Sequence, residues 1–62
     1  MERIEFKDVV GNWVGELERE SPRKPWTFRY EEGQREFYGS KSFAQRLART
    51  FFSDCGIELP AE

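Results

Sequence analysis

The chain contains no histidine, so the side chain that most often serves as general base or metal ligand is missing. The groups left to do chemistry are one thiol, the carboxylates, the guanidinium and ammonium groups, and a heavy load of aromatics. Cys55 is the lone cysteine, which rules out an internal disulfide and a zinc site built from several Cys and His. With no histidine to activate it, and with a place on the apolar side of a helical pattern, Cys55 is expected to be a buried structural thiol. Glu31, Glu32 and Glu36 crowd around Gly33. Adjacent carboxylates on a strand point to opposite faces, and a turn beside an open sheet has no pocket to raise a pKa. Solvated charge is therefore the expectation for them. The five glycines are dispersed and form no phosphate-binding loop. These features point away from an enzyme, and no catalytic, cofactor or metal-ligating residue is assigned.

The charges are unevenly spread. Residues 1–20 sum to −3, residues 21–53 to +4 and residues 54–62 to −3. A basic middle in an acidic chain leaves both anionic and cationic partners open. Arg23, Lys24, Arg29, Arg46 and Arg49 are the candidates for nucleic-acid contact, which needs such charges gathered on one surface. Trp26, Phe28, Tyr30 and Phe37 could stack on bases, but alternating aromatics on a half-buried sheet are what a small domain uses as core.

A chain of 62 residues is one small domain, residues 1–62, and needs large side chains to build a core. Six Phe, two Trp and two Tyr supply them. No apolar run approaches the roughly 20 residues of a membrane span. The N-terminal "MERIEFKD" lacks the apolar core of a signal peptide. With the unpaired Cys55, this suits a reducing cytoplasm.

The elements that must position these groups read as strand, strand, strand, strand, helix. Strands are expected over 3–10, 13–20, 26–31 and 34–39. "WTFRYEEGQREFYG" alternates on both sides of a glycine. A Glu32-Gly33 turn would pair Tyr30 with Arg35, Arg29 with Glu36, Phe28 with Phe37, Thr27 with Tyr38 and Trp26 with Gly39. In the N-terminal segment a Gly11-Asn12 turn would pair Val10 with Trp13, Val9 with Val14, Lys7 with Glu16, Phe6 with Leu17 and Arg3 with Glu20. The apolar face of that hairpin would carry Ile4, Phe6, Val10, Trp13 and Leu17, with a bulge near Asp8. "ESPRKP" holds Pro22 and Pro25 and is a loop.

A helix is expected over 43–55. Phe43, Ala44, Leu47, Ala48, Phe51 and Cys55 recur at helical spacing. Ser42 and Gln45 suit a capping box. Gly56 suits a left-handed C-cap followed by an apolar contact from Ile57. The fold class is thus α+β: a three- or four-stranded antiparallel meander followed by one C-terminal helix packed on one face. The other face is left uncovered and would show Arg3, Glu5, Lys7, Val9, Val14, Glu16, Glu18, Glu20, Thr27, Arg29, Glu31, Gln34, Glu36 and Tyr38. That face is acidic on balance.

"KPWTFRYEEGQREFYGSKSFAQRLARTFF" resembles the arm-site-binding N-terminal domain of phage-type integrases and, more distantly, the plant ethylene-response-type DNA-binding domain, of which "NWVGELER" also looks like a strand. The resemblance implies a three-stranded sheet lying in the DNA major groove and backed by the helix, with Arg29 facing the groove and Thr27 beside it. The same face also carries Glu16, Glu18, Glu31 and Glu36, which oppose contact with phosphates.

The function that follows is non-catalytic binding. The first expectation is a small protein-binding module, such as an inhibitor or adaptor encoded by a phage or mobile element. Its face of Glu16, Glu18, Arg29, Glu31, Glu36 and Tyr38 would meet a partner protein with a basic surface. The alternatives are a DNA-binding regulator using Arg23, Lys24, Arg29, Arg46 and Arg49, and a subunit that self-associates through its sheet edges.

Overall fold

The structure, a computed structural model, describes residues 1–60. Four antiparallel strands run in simple meander order: β1 (Glu2–Lys7), β2 (Trp13–Arg19), β3 (Trp26–Tyr30) and β4 (Gly33–Phe37). The helix α1 (Lys41–Asp54) follows and lies across one face. The α+β meander with a C-terminal helix is therefore as expected, with four strands. No helix among the described residues is long and apolar enough to cross a membrane.

Alternation sets the two faces. Ile4, Leu17, Phe28 and Arg35 form one cross-strand row, and Leu17 and Phe28 in it are fully buried. Trp26 is also fully buried. Its indole N–H donates to the Gly39 carbonyl at 3.1 Å, and the Arg19 guanidinium lies 4.4 Å from its ring centre. A buried Trp needs such a partner for its one donor.

The helix supplies the other half of the core. Its buried line is Ala44, Ala48 and Phe52, spaced i, i+4, i+8. The two alanines bring the helix close to the sheet. The Phe52 ring then packs between Phe6 and Phe28, with centroids at 5.6 and 5.4 Å. The expected stripe through Phe43, Leu47 and Phe51 is instead the half-covered flank of the helix, and the burial axis is rotated toward Phe52. Phe51 packs edge-on to Phe28 and against Tyr30, while Phe43 meets Phe37. Phe43 remains 46% exposed. Cys55 is exposed, not buried, because it sits at the C-cap, past the last residue that faces the sheet.

The helix ends differ in how well they were foreseen. Ser40, not Ser42, is the N-cap: its hydroxyl accepts from the Phe43 N–H at 3.1 Å. The helix therefore begins two residues earlier than expected. At the other end Gly56 takes φ 81. The Gly56 N–H donates to the Ser53 carbonyl and the Ile57 N–H to the Phe52 carbonyl, a Schellman arrangement. Ile57 packs on the core, as expected.

Both hairpins pair two residues away from the expected register. In the second, Trp26 pairs with Phe37, Thr27 with Glu36, Phe28 with Arg35, Arg29 with Gln34 and Tyr30 with Gly33. The turn is Glu31-Glu32. Neither has positive φ, so this is not the primed turn anticipated, and Glu31 leaves the open face for the turn. In the first hairpin, Arg3 pairs with Glu18, Ile4 with Leu17, Glu5 with Glu16 and Phe6 with Gly15, and the register slips between Phe6 and Lys7. β1 ends there. Residues 8–12 form a loop in which the Asp8 carboxylate accepts from the Val10 and Asn12 N–H groups at 3.0 and 2.9 Å. Val10 and Trp13 thus fall outside the core, at 80% and 44% exposure. Val14, expected on the open face, packs against the core instead.

Gly15 shows why this register wins. A Cβ there would stand 2.6 Å from Phe52 Cζ and 2.7 Å from the Arg29 carbonyl oxygen. Opposite Phe6, only glycine leaves the Phe52 ring its place.

Candidate interaction surface

The open face consists of two cross-strand rows. One runs Arg3, Glu18, Thr27, Glu36, and the other Glu5, Glu16, Arg29, Gln34. Each row follows from strand alternation against the buried row of Leu17 and Phe28.

Within these rows the charges bond to one another. Glu16 Oε1 accepts from Arg3 Nη2 at 3.0 Å, and Glu16 Oε2 accepts from Arg29 Nη1 at 3.0 Å. Arg29 Nη1 also donates to Glu18 Oε1 at 2.9 Å. Arg3 stands 3.8 Å from Glu5. The result is a lattice, Glu5–Arg3–Glu16–Arg29–Glu18, with the carboxylate at its centre held on both oxygens. Glu5 and Glu16, directly opposite each other, are kept from mutual repulsion by the arginines on either side of Glu16.

Glu16 is buried although it lies on the uncovered face, because Arg3 and Arg29 lie against it. The hydrogen bond from Arg3, reinforced by that from Arg29, holds its carboxyl below the usual carboxylate range against the opposing effect of burial. In return, Glu18 and Glu16 raise the Arg29 guanidinium and Glu16 raises Arg3. On the helix side of the sheet, Arg19 bonds Glu2 through Nε and holds that carboxyl low.

The expected site residues separate accordingly. Glu16, Glu18 and Arg29 come together, but they bind each other. Glu36 shares their face one strand further out, in the row Glu18–Thr27–Glu36, and has no ion-pair partner among the described residues. Tyr38 follows β4 and is 74% exposed. A shallow concavity of about 330 Å³ on this side is lined by Glu18, Thr27, Glu36, Lys24 and Pro25 among others. Glu31 lies in the turn. The bases considered for nucleic acid are not gathered on one surface. Arg23 and Lys24 are on the β2–β3 loop, Arg29 is in the lattice, Arg46 is exposed on the helix, and Arg49 donates to the Pro60 carbonyl.

A second exposed group was foreseen only for Val9, since Val10 and Trp13 were expected on the apolar face. Val9, Val10 and Trp13 stand at the tip of the first hairpin, where the Val9 N–H donates to the Glu58 carbonyl. Asp8 was the signal that could have revealed it, since Asp three and four residues ahead of Gly11-Asn12 favours a side-chain-capped loop over a continuing strand. Among the described residues no group of three or more His, Cys, Asp or Glu is placed to hold a metal. Comparison of the chain with protein families, curated proteins and solved structures finds no match.

Proposed function

We propose that this chain is a small non-catalytic protein-binding module that meets a basic partner surface with the β4 side of its open sheet face. The observation that carries this is the contrast between Glu36 and its neighbours. In the β1–β2–β3 part of the face the carboxylates are paired with arginines from within, while Glu36 stays exposed and without an ion pair among the described residues, two positions before the exposed Tyr38. An exposed tyrosine close in sequence to an unpaired charge combines an anchor with a steering group. The lattice has a further use: it fixes the polar side chains of the face in advance, so less conformational freedom is lost on binding.

The test is capture from the source cell's lysate with and without nuclease, comparing the native chain with a Glu36→Lys/Tyr38→Ala variant. A protein that survives nuclease and is lost with the variant supports the proposal. Equal capture by both chains overturns it, and capture that vanishes with nuclease moves the function to nucleic acid. Reversing Glu16 or Glu18 is a poor test, because both bind Arg29 within the fold.

A further inference from the structure

The meander leaves two free sheet edges, β1 and β4, and unpaired edges are templates for pairing with another chain. They differ sharply in what they offer to a second copy of themselves. In a two-fold antiparallel pairing within one sheet, residue i of one copy meets residue j of the other and j meets i. One residue therefore lies opposite itself, and side chains directly opposite share a face.

For β1 the arithmetic has one good solution that engages most of the strand; centring on Phe6 also sets Glu5 against Lys7, but it pairs only residues 5 to 7 of the Glu2–Lys7 strand. With Ile4 opposite Ile4, Arg3 lies opposite Glu5 and Glu5 opposite Arg3, while Glu2 lies opposite Phe6. Both copies of Ile4 would meet on the helix side, where Ile4 is half-buried against the core. On the open side both Arg–Glu pairs are complementary, and these side chains have room for a partner: Arg3 and Glu5 are 52% and 49% exposed and only 3.8 Å apart within the chain. Moving the centre to Arg3 sets arginine against arginine. Moving it to Glu5 sets glutamate against glutamate and Arg3 against Lys7. For β4 the full-length register sets Arg35 against Arg35, and centring on Glu36 sets that carboxylate against itself. Like charges directly opposite are destabilising.

We infer that the chain forms a two-fold dimer by antiparallel pairing of β1 with β1, centred on Ile4, giving a continuous eight-stranded sheet with both helices on one face. The Glu18–Arg29–Glu16–Arg3 lattice of each copy then continues into Glu5 of the other. The β4 edges, with Glu36 and Tyr38, lie at the two ends of the sheet and stay clear of the dimer interface.

Glu5→Lys separates this pairing from the fold. Within one chain it gives up the exposed 3.8 Å Arg3–Glu5 contact but replaces the opposed Glu5–Glu16 pair by an ammonium facing Glu16, so the net change in the fold is small. Between chains it sets that ammonium against Arg3 at both contacts. Sedimentation velocity across a concentration series should show a dimer for the native chain and a dissociation constant raised about tenfold or more by Glu5→Lys, with thermal unfolding confirming that the variant is folded. A native chain that stays monomeric throughout, a dimer indifferent to Glu5→Lys, or open-ended assemblies would each overturn the inference.

Discussion

Glu16 illustrates how one side chain can look like a binding group and act as a structural one. Its two oxygens take hydrogen bonds from two arginines on two neighbouring strands, so it links β1, β2 and β3 across the exposed face. Hydrogen bonds to charged groups are stronger than neutral ones. Glu16→Ala is expected to cost about 1–3 kcal/mol in a urea titration, and Glu18→Ala, which removes one more exposed contact, about 0–1 kcal/mol. The pH dependence has a definite sign. The Glu16 carboxyl titrates lower in the folded chain than in the unfolded one, so its contribution is complete above the ordinary carboxylate range and is lost as pH falls through its lowered value. The acid limb of the stability curve should therefore be shallower in Glu16→Gln than in the native chain. Gly15 is the other decisive single position. Gly15→Ala would press a methyl group against Phe52 and the Arg29 carbonyl, and overpacking of this kind costs about 1–3 kcal/mol.

Among the elements, the helix start offers the cleanest check. Ser40→Ala should destabilise the chain by about 0.5–2 kcal/mol, whereas Ser42→Ala, exposed within the first turn, should change little. Equal effects would mean that the cap has been placed wrongly. The order of elements was legible from periodicity alone, with three or four strands left open, because period-2 alternation and the Ala-containing helical stripe are each local signals. Register was not. Both hairpins slip by two residues from the turns that glycine placement suggested, and a slip of two keeps nearly every side chain on its own face. Glu16, Glu18, Thr27, Arg29 and Glu36 could therefore be placed on the open face from alternation. That Arg29 binds Glu16 and Glu18, and does not lie across from Glu36, depends on register. In the first hairpin, register was decided by the local Asp8 loop, whose signal competes with the Gly11-Asn12 turn, and by the space Gly15 leaves for Phe52, which is a tertiary fact. The helix misreading has a similar origin: Phe51 and Phe52 are adjacent aromatics, and only the position of the sheet decides which one is buried.

For the molecule as a whole, a 62-residue domain has a net stability of about 3–9 kcal/mol, so Phe52→Ala, at about 3–5 kcal/mol, should remove a large share of it. That small margin gives the internal pairing of the open face its importance. A face of unpaired carboxylates would repel itself, whereas the lattice leaves the surface polar, ordered and compatible with a partner at the β4 side. The Val9, Val10 and Trp13 tip is the competing exposed surface. The most direct test of the account is to titrate the isotope-labelled chain with its captured partner and follow backbone amide shifts. Changes centred on Thr27, Gln34, Glu36 and Tyr38, with the hairpin tip undisturbed, are the predicted result. Changes centred on Val9, Val10 and Trp13, or on the outer helix around Arg46, would contradict it.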